Sequence, residues 1–278
     1  MKTKPIDGLT LFFDSRERDA AELIGQACEQ SVEIIHACWG LDTPEDCRVY
    51  VMTSWLRFLF HAPPWPYRIL VAATLPLWYF RARKLWALAG GWHQQFGQRR
   101  AVGVKPPHLL QLADTRIGKR IFVQEDDLRA KVQRNTCHEL THAFTSHLGL
   151  PMWLNEGLAM VTVDRFAGKP TIKRETLQAL AQPPQDTSPG RYRQLRGEDM
   201  DNLMFYHCVR GYWLTRYMQD TQPDLLQDLL RQKHSHGGLE SKVAAAYGME
   251  PGEFWKSIDA IIVSHFKEGI SIGAENDH

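Results

Sequence analysis

Cysteine is scarce in this chain: five residues in 278, an odd number, with no C-x-x-C pair among them. That argues against a disulfide framework and for free thiols in a reducing compartment. Charge of one sign is lacking as well. Lys and Arg number 33 against 32 Asp and Glu, a formal net charge of +1. Nothing in that balance calls for nucleic acid or a strongly acidic partner. There is no long apolar run either. Ile69–Phe80 spans only 12 residues and contains Pro76, too short for a membrane-crossing helix. The first residues, Met1 to Asp7, hold no apolar core of the secretory kind, so a cytoplasmic location is expected.

What remains is an ordinary globular composition, 44% hydrophobic and 23% charged, long enough for one large or two small domains. Against that plain background stands His138-Glu139-Leu140-Thr141-His142. Side chains four apart on a helix lie one turn apart on nearly the same face. Two imidazoles placed that way can both reach one Zn²⁺, at roughly 2.0–2.1 Å each. Glu139 sits beside the first of them, where its carboxylate can take a proton from water. A catalytic zinc site needs a third protein ligand and one position left free. Glu156, in the run Trp153-Leu154-Asn155-Glu156-Gly157, is the natural third ligand.

By ordinary residue frequencies H-E-x-x-H turns up by chance in about one chain in a hundred of this length. The surroundings favour a helix. Asp126 and Asp127 offer an N-cap, Leu128 to Leu148 runs without Pro or Gly, and Gly149 and Pro151 follow. Pro151 can open a second helix carrying Glu156 in its early turns. The plain alternative is a solvated helix face with no metal. Cys137 neighbours His138 but points about 100° away on a helix, and reads as packing rather than as a ligand.

These two segments, followed by Leu158-Ala159, resemble the gluzincin metallopeptidases. The W-L-N-E-G run is most similar to the zinc aminopeptidases. The 13 residues between His142 and Glu156 are fewer than those relatives carry, and resemble the small bacterial peptidase MA-like domains. The resemblance implies one Zn²⁺ per chain on His138, His142 and Glu156, with Glu139 as general base. It implies an α+β fold with a small mixed sheet packed on the metal helix, then an all-helical C-terminal half. The aminopeptidases hold a substrate's free amine with G-A-M-E-N; here the nearest string is Ala89-Gly90-Gly91-Trp92, with no acid, so an endopeptidase is expected. Gly273-Ala274-Glu275-Asn276 lies at the wrong end of the chain. Many relatives carry an acid one turn after the third ligand. Met160 stands there, leaving Asn135, Asp164 or a backbone carbonyl to orient the histidines.

Periodicity predicts a strand at Leu9–Phe13, a helix over Arg18–Cys38 and a strand at Arg48–Met52. Val102–Val104, Leu109–Leu112 and Ile121–Val123 are further strand candidates, one of them expected as the sheet edge beside the site. The stretch 55–92 holds five of the nine tryptophans. It reads as an aromatic-rich insertion packed on the sheet, or alternatively as an interfacial element or lid with Arg81, Arg83 and Lys84 after its apolar run. Loop-rich 167–200 marks a junction between an α+β zinc-binding domain at 1–166 and a mostly helical part at 167–278. Helices are predicted at Leu203–Gln219, Asp224–His234, Leu239–Tyr247 and Pro251–Phe266.

A second donor for the oxyanion is usual, and in gluzincins it is a Tyr or His of the helical half. Tyr206 is the candidate, with His207 and Tyr212 as rivals. The expected activity is zinc-dependent hydrolysis of peptide bonds in a peptide or protein substrate. Two other readings use the same residues: a gluzincin-fold metal scaffold for partner recognition, and a protein held at a membrane surface through residues 65–86.

Overall fold

The computed structural model describes residues 1–110, 116–184, 200–234 and 238–273, the side chains at 81–82, 84–85, 87–88, 116, 200 and 268–273 aside. The chain divides into two compact units, both discontinuous in sequence. One comprises Met1–Lys119, Gln124–Ser146 and Thr162–Lys169; the other comprises Arg120–Val123, His147–Val161 and Pro170–His278.

The first unit is built on strands β1 (Lys2–Ile6), β2 (Leu9–Phe13), β3 (Asp46–Val51), β4 (Gly91–Phe96) and β5 (Arg99–Val104). They form one mixed sheet in the order β1-β2-β3-β5-β4. β2, β3 and β5 run parallel, and both edge strands are antiparallel to their neighbours. Asp7 and Gly8, with φ of 39° and 80°, make the tight turn joining β1 to β2. Two consecutive positive φ values suit the twist of a hairpin, and Asp-Gly is a pair that accepts them. β1 is polar and contains Pro5, which an edge strand tolerates.

Helix α1 (Arg18–Trp39) connects β2 to β3, as parallel pairing requires. Its buried face is lined with small residues, Ala20, Ala21, Ala27, Cys28 and Ser31, between Leu23, Ile24 and Ile35. Between β3 and β4 come α2 (Trp55–His61) and α3 (Trp65–Leu88). The interrupted apolar run of the sequence is one continuous 24-residue helix that carries Pro76 inside it. No helix among the described residues is long and apolar enough to cross a membrane.

After the short helices α4 (Pro107–Leu110) and α5 (Arg116–Ile121) comes α6 (Leu128–Thr145), which packs on α1 and on β4 and β5. Helix α7 (Met152–Ala167) gives its first ten residues to the second unit and its last six to the first. Within the first unit, Trp39 Nε1 donates to Thr162 Oγ1 at 2.8 Å.

The three strand candidates fare differently. Val102–Val104 lies within β5, an interior strand. Leu109 and Leu110 end the helical turn α4, while residues 111–112 lie outside the described residues. Ile121–Val123 contributes only a single bridge, Phe122 to Ile172. The sheet edge beside α6 is β4, which was not among the three. Its sequence, G-W-H-Q-Q-F, is too polar to announce a strand by hydrophobic alternation.

Beyond residue 170 the second unit is helical among the described residues apart from that bridge: α8 (Leu177–Ala181), α9 (Met200–Thr221), α10 (Pro223–Leu230), α11 (Gly238–Ala246) and α12 (Pro251–Gly273). Its core holds an ion pair. Arg210, 0% exposed, donates through Nε to Asp259 Oδ1 at 2.7 Å and through an η nitrogen to the Trp255 carbonyl at 2.8 Å. The Tyr206 hydroxyl donates to the other oxygen, Asp259 Oδ2, at 2.5 Å. A buried charge is tolerable only when paired and hydrogen-bonded in this way. Residues 185–199 of the loop-rich junction, and Ala274-Glu275-Asn276, lie outside the described residues.

Candidate metal centre

Helix α6 is locally well specified. Asp127 caps it by accepting from the Arg129 backbone N–H at 2.8 Å. Val132, Cys137, Leu140 and Phe144 bury one side. Three threonines sit among them without cost, because each hydroxyl donates to the carbonyl four residues back: Thr136 to Val132, Thr141 to Cys137 and Thr145 to Thr141, at 2.8–2.9 Å. Burial pushes the Cys137 thiol up to about 12, so it stays protonated and acts as packing. Gly149, with φ of 65°, follows the helix in a conformation that a side chain would strain.

His138 and His142 come together at the Nε2 atoms, 3.0 Å apart, with their rings nearly perpendicular. A carboxylate oxygen of Glu156, on α7, completes a group whose ligand atoms all lie within 4.8 Å of one another. All three predicted ligands are thus gathered at one point. Two nitrogens each bound to one ion at roughly 2.0–2.1 Å in a tetrahedron stand about 3.3 Å apart. The observed pair is close to that spacing, so the group could hold a metal ion.

Glu139 lies against the edge strand. A Cβ on Gly91 would run into its Cγ, and one on Gly90 would run into Asn135 Nδ2. The Gly90-Gly91 pair is therefore what lets the backbone entering β4 pass over α6 at the level of Glu139. Asn135, considered above as a partner for the histidines, has its amide against Gly90. Met160 is buried.

One residue at this site escaped the sequence reading. His93, on β4, has its ring 6.5 Å from that of His142. Its Nε2 is buried with no hydrogen-bond partner among the described residues. Burial, and then the neighbouring His142 and Arg100, push its pKa down to about 3, so it is neutral. Nothing in a polar W-H-Q-Q run signals such a position.

Gly157, next to Glu156, has a packing role. A Cβ there would strike the Gly211 carbonyl and Thr215 Oγ1, and a Cβ on Gly211 would strike the Trp153 carbonyl. Within the second unit α7 and α9 thus cross with their backbones almost touching, which needs glycine on both sides. Burial raises the Cys208 thiol well above its usual range, with the Glu156 carboxylate adding to it, so the same side of α9 faces the third ligand. Tyr206 is two residues from Cys208, about 200° around the helix. Its hydroxyl is engaged by Asp259 on α12. Tyr212, about 40° from Cys208, shares the side that meets α7. No family model and no curated protein matches the chain.

Proposed function

We propose that the chain is a zinc-dependent peptidase of gluzincin type, with one Zn²⁺ held by His138, His142 and Glu156. The observation that carries this reading is the convergence of those three donors beside a carboxylate, Glu139, which lies against an edge strand. When bound, zinc supplies a Lewis acid for the scissile carbonyl and lowers the pKa of water towards 7.

The chain's own residues do the rest. Glu139 takes the proton of the attacking water and passes it to the leaving amine nitrogen. β4 offers unpaired backbone groups along its outer side, and an extended peptide can add there as a further strand. Gly90 and Gly91 let it approach the base, and the absence of an acid there suits internal bonds of a peptide better than its free N-terminus. Tyr206 is the candidate oxyanion donor, with His207 and Tyr212 as rivals, and to act it would have to release Asp259. Five free cysteines suit the reducing cytoplasm.

The test is Glu139→Gln. It should keep stoichiometric zinc and lose cleavage of a peptide library read by mass spectrometry, as the wild type should on adding chelator. A folded wild type that binds no zinc, or that cleaves equally well after chelation, rules the reading out. A pure scaffold would bind its partner equally well with either residue at 139.

A further inference from the structure

Helix α3 is apolar on the side where a water-facing helix should be polar. Its most exposed large hydrophobic side chains up to Phe80 are Trp65 at 71%, Ile69 at 58%, Leu70 at 59%, Leu77 at 87% and Phe80 at 76%. Placed at 100° per residue they fall within one arc of about 140°. Pro66, Ala73 and Pro76 are also exposed in that arc, and it holds no polar side chain before Arg83. The opposite side, with Val71, Leu75, Trp78 and Tyr79, packs on Trp55 and Leu59 of α2. Apart from Arg68 and Thr74 the helix is apolar on both sides as far as Phe80, yet one of those sides faces outward, which a chain fully surrounded by water would avoid.

Charge says what covers that face. α3 carries Arg68, Arg81, Arg83 and Lys84 and no Asp or Glu. The deficit continues along the sequence, where the 67 residues from Cys47 to Ala113 contain nine Lys or Arg and no acid. But Arg48 and Arg99 pair with Asp46, Arg57 pairs with Asp14, and Arg100 and Lys105 are buried, so the charge beside this face is that of α3 itself. A second copy of the chain seated face to face would bring like charges together. A bilayer with anionic headgroups offers both an apolar layer and negative charge. The helix is not apolar enough to cross, so it would lie in the plane of the interface.

We propose that α3 is a membrane-interface helix. Trp65, Ile69, Leu70, Leu77 and Phe80 enter the boundary between headgroups and acyl chains of an anionic phospholipid surface. The basic turn around Arg83 lies at the phosphates. Because α3 leads directly into β4, the strand against Glu139, the same unit would hold its base close to the lipid surface. The inference stands apart from the hydrolytic reading, since it uses none of the metal or base residues.

Flotation of the full chain with phosphatidylcholine vesicles, with and without about 30 mol % phosphatidylglycerol, tests it. The chain should float with the anionic vesicles, and roughly tenfold less with neutral ones or when salt is raised to about 0.5 M. Leu77→Glu with Phe80→Glu should lower binding roughly tenfold while the circular dichroism spectrum and thermal midpoint stay unchanged. Leu77→Ser serves if the double variant misfolds. Failure to float with anionic vesicles, equal flotation with neutral ones, or unchanged flotation of the folded variants overturns the proposal. So does a dimer in size exclusion that the variants dissolve, because the face would then belong to a second copy.

Discussion

A single methyl group at position 91 would press on Glu139, the proposed base. The clash of a Gly91 Cβ would be with Glu139 Cγ, so either the strand lifts or the carboxylate turns away. Displacing a base by about 1 Å costs roughly a hundredfold in rate. Gly91→Ala should therefore bind zinc normally and lose at least tenfold in kcat/KM, as a metal assay and peptide cleavage would show. Lys105 gives a second test at this scale. It is 1% exposed, with Nζ donating to the Trp86 carbonyl and lying 4.3 Å from that ring's centre. Burial lowers its pKa from 10.5 to about 8. Below pH 8 both folded and unfolded chains hold the proton, and the folded state bears the full burden. Between pH 8 and 10.5 the folded chain releases it first, so stability from this group rises with pH across that window. Urea unfolding should show wild type gaining on Lys105→Met across that window and not below it.

Among elements, the α7–α9 crossing is the most demanding. Gly157 sits in the motif run next to the third ligand, yet its constraint comes from the Gly211 carbonyl on another helix. Gly157→Ala should destabilise the protein by about 1–3 kcal/mol through overpacking, despite alanine's better helix propensity. Chemical unfolding checks the magnitude, and the sign alone separates packing from propensity. α9 also explains why Tyr206 and Tyr212 differ. One side of this helix is tied to α12 through Asp259, and the other side meets α7.

At the scale of the whole molecule, the proposed zinc would link binding to folding. Zinc at about a hundred times its Kd adds about 2.7 kcal/mol, which for a chain of this size is about 5–10 °C in Tm. The midpoint in a thermal-shift assay should rise by that amount with zinc for wild type and for Glu139→Gln, and not for His142→Ala. The net charge of +1 also needs reading at this scale. It conceals the acid-free stretch from Cys47 to Ala113, balanced by carboxylates elsewhere.

What the amino-acid sequence determined by itself is whatever depends on neighbours a turn or two apart. His138 and His142 share a helix face because 3.6 residues make a turn, and Asp127 marks where that helix begins. Leu9–Phe13 and the long α1 were equally legible, from alternation and helical spacing. Tertiary structure decided what no local period encodes. The polar β4 becomes the edge strand only by pairing with β5, and His93 enters the site with it. Pro76 is carried inside a continuous α3 that packs one side on α2. Tyr206 is claimed by Asp259, 53 residues away. Such contacts are chosen by packing between distant segments, whose energies leave no mark on the periodicity of either one.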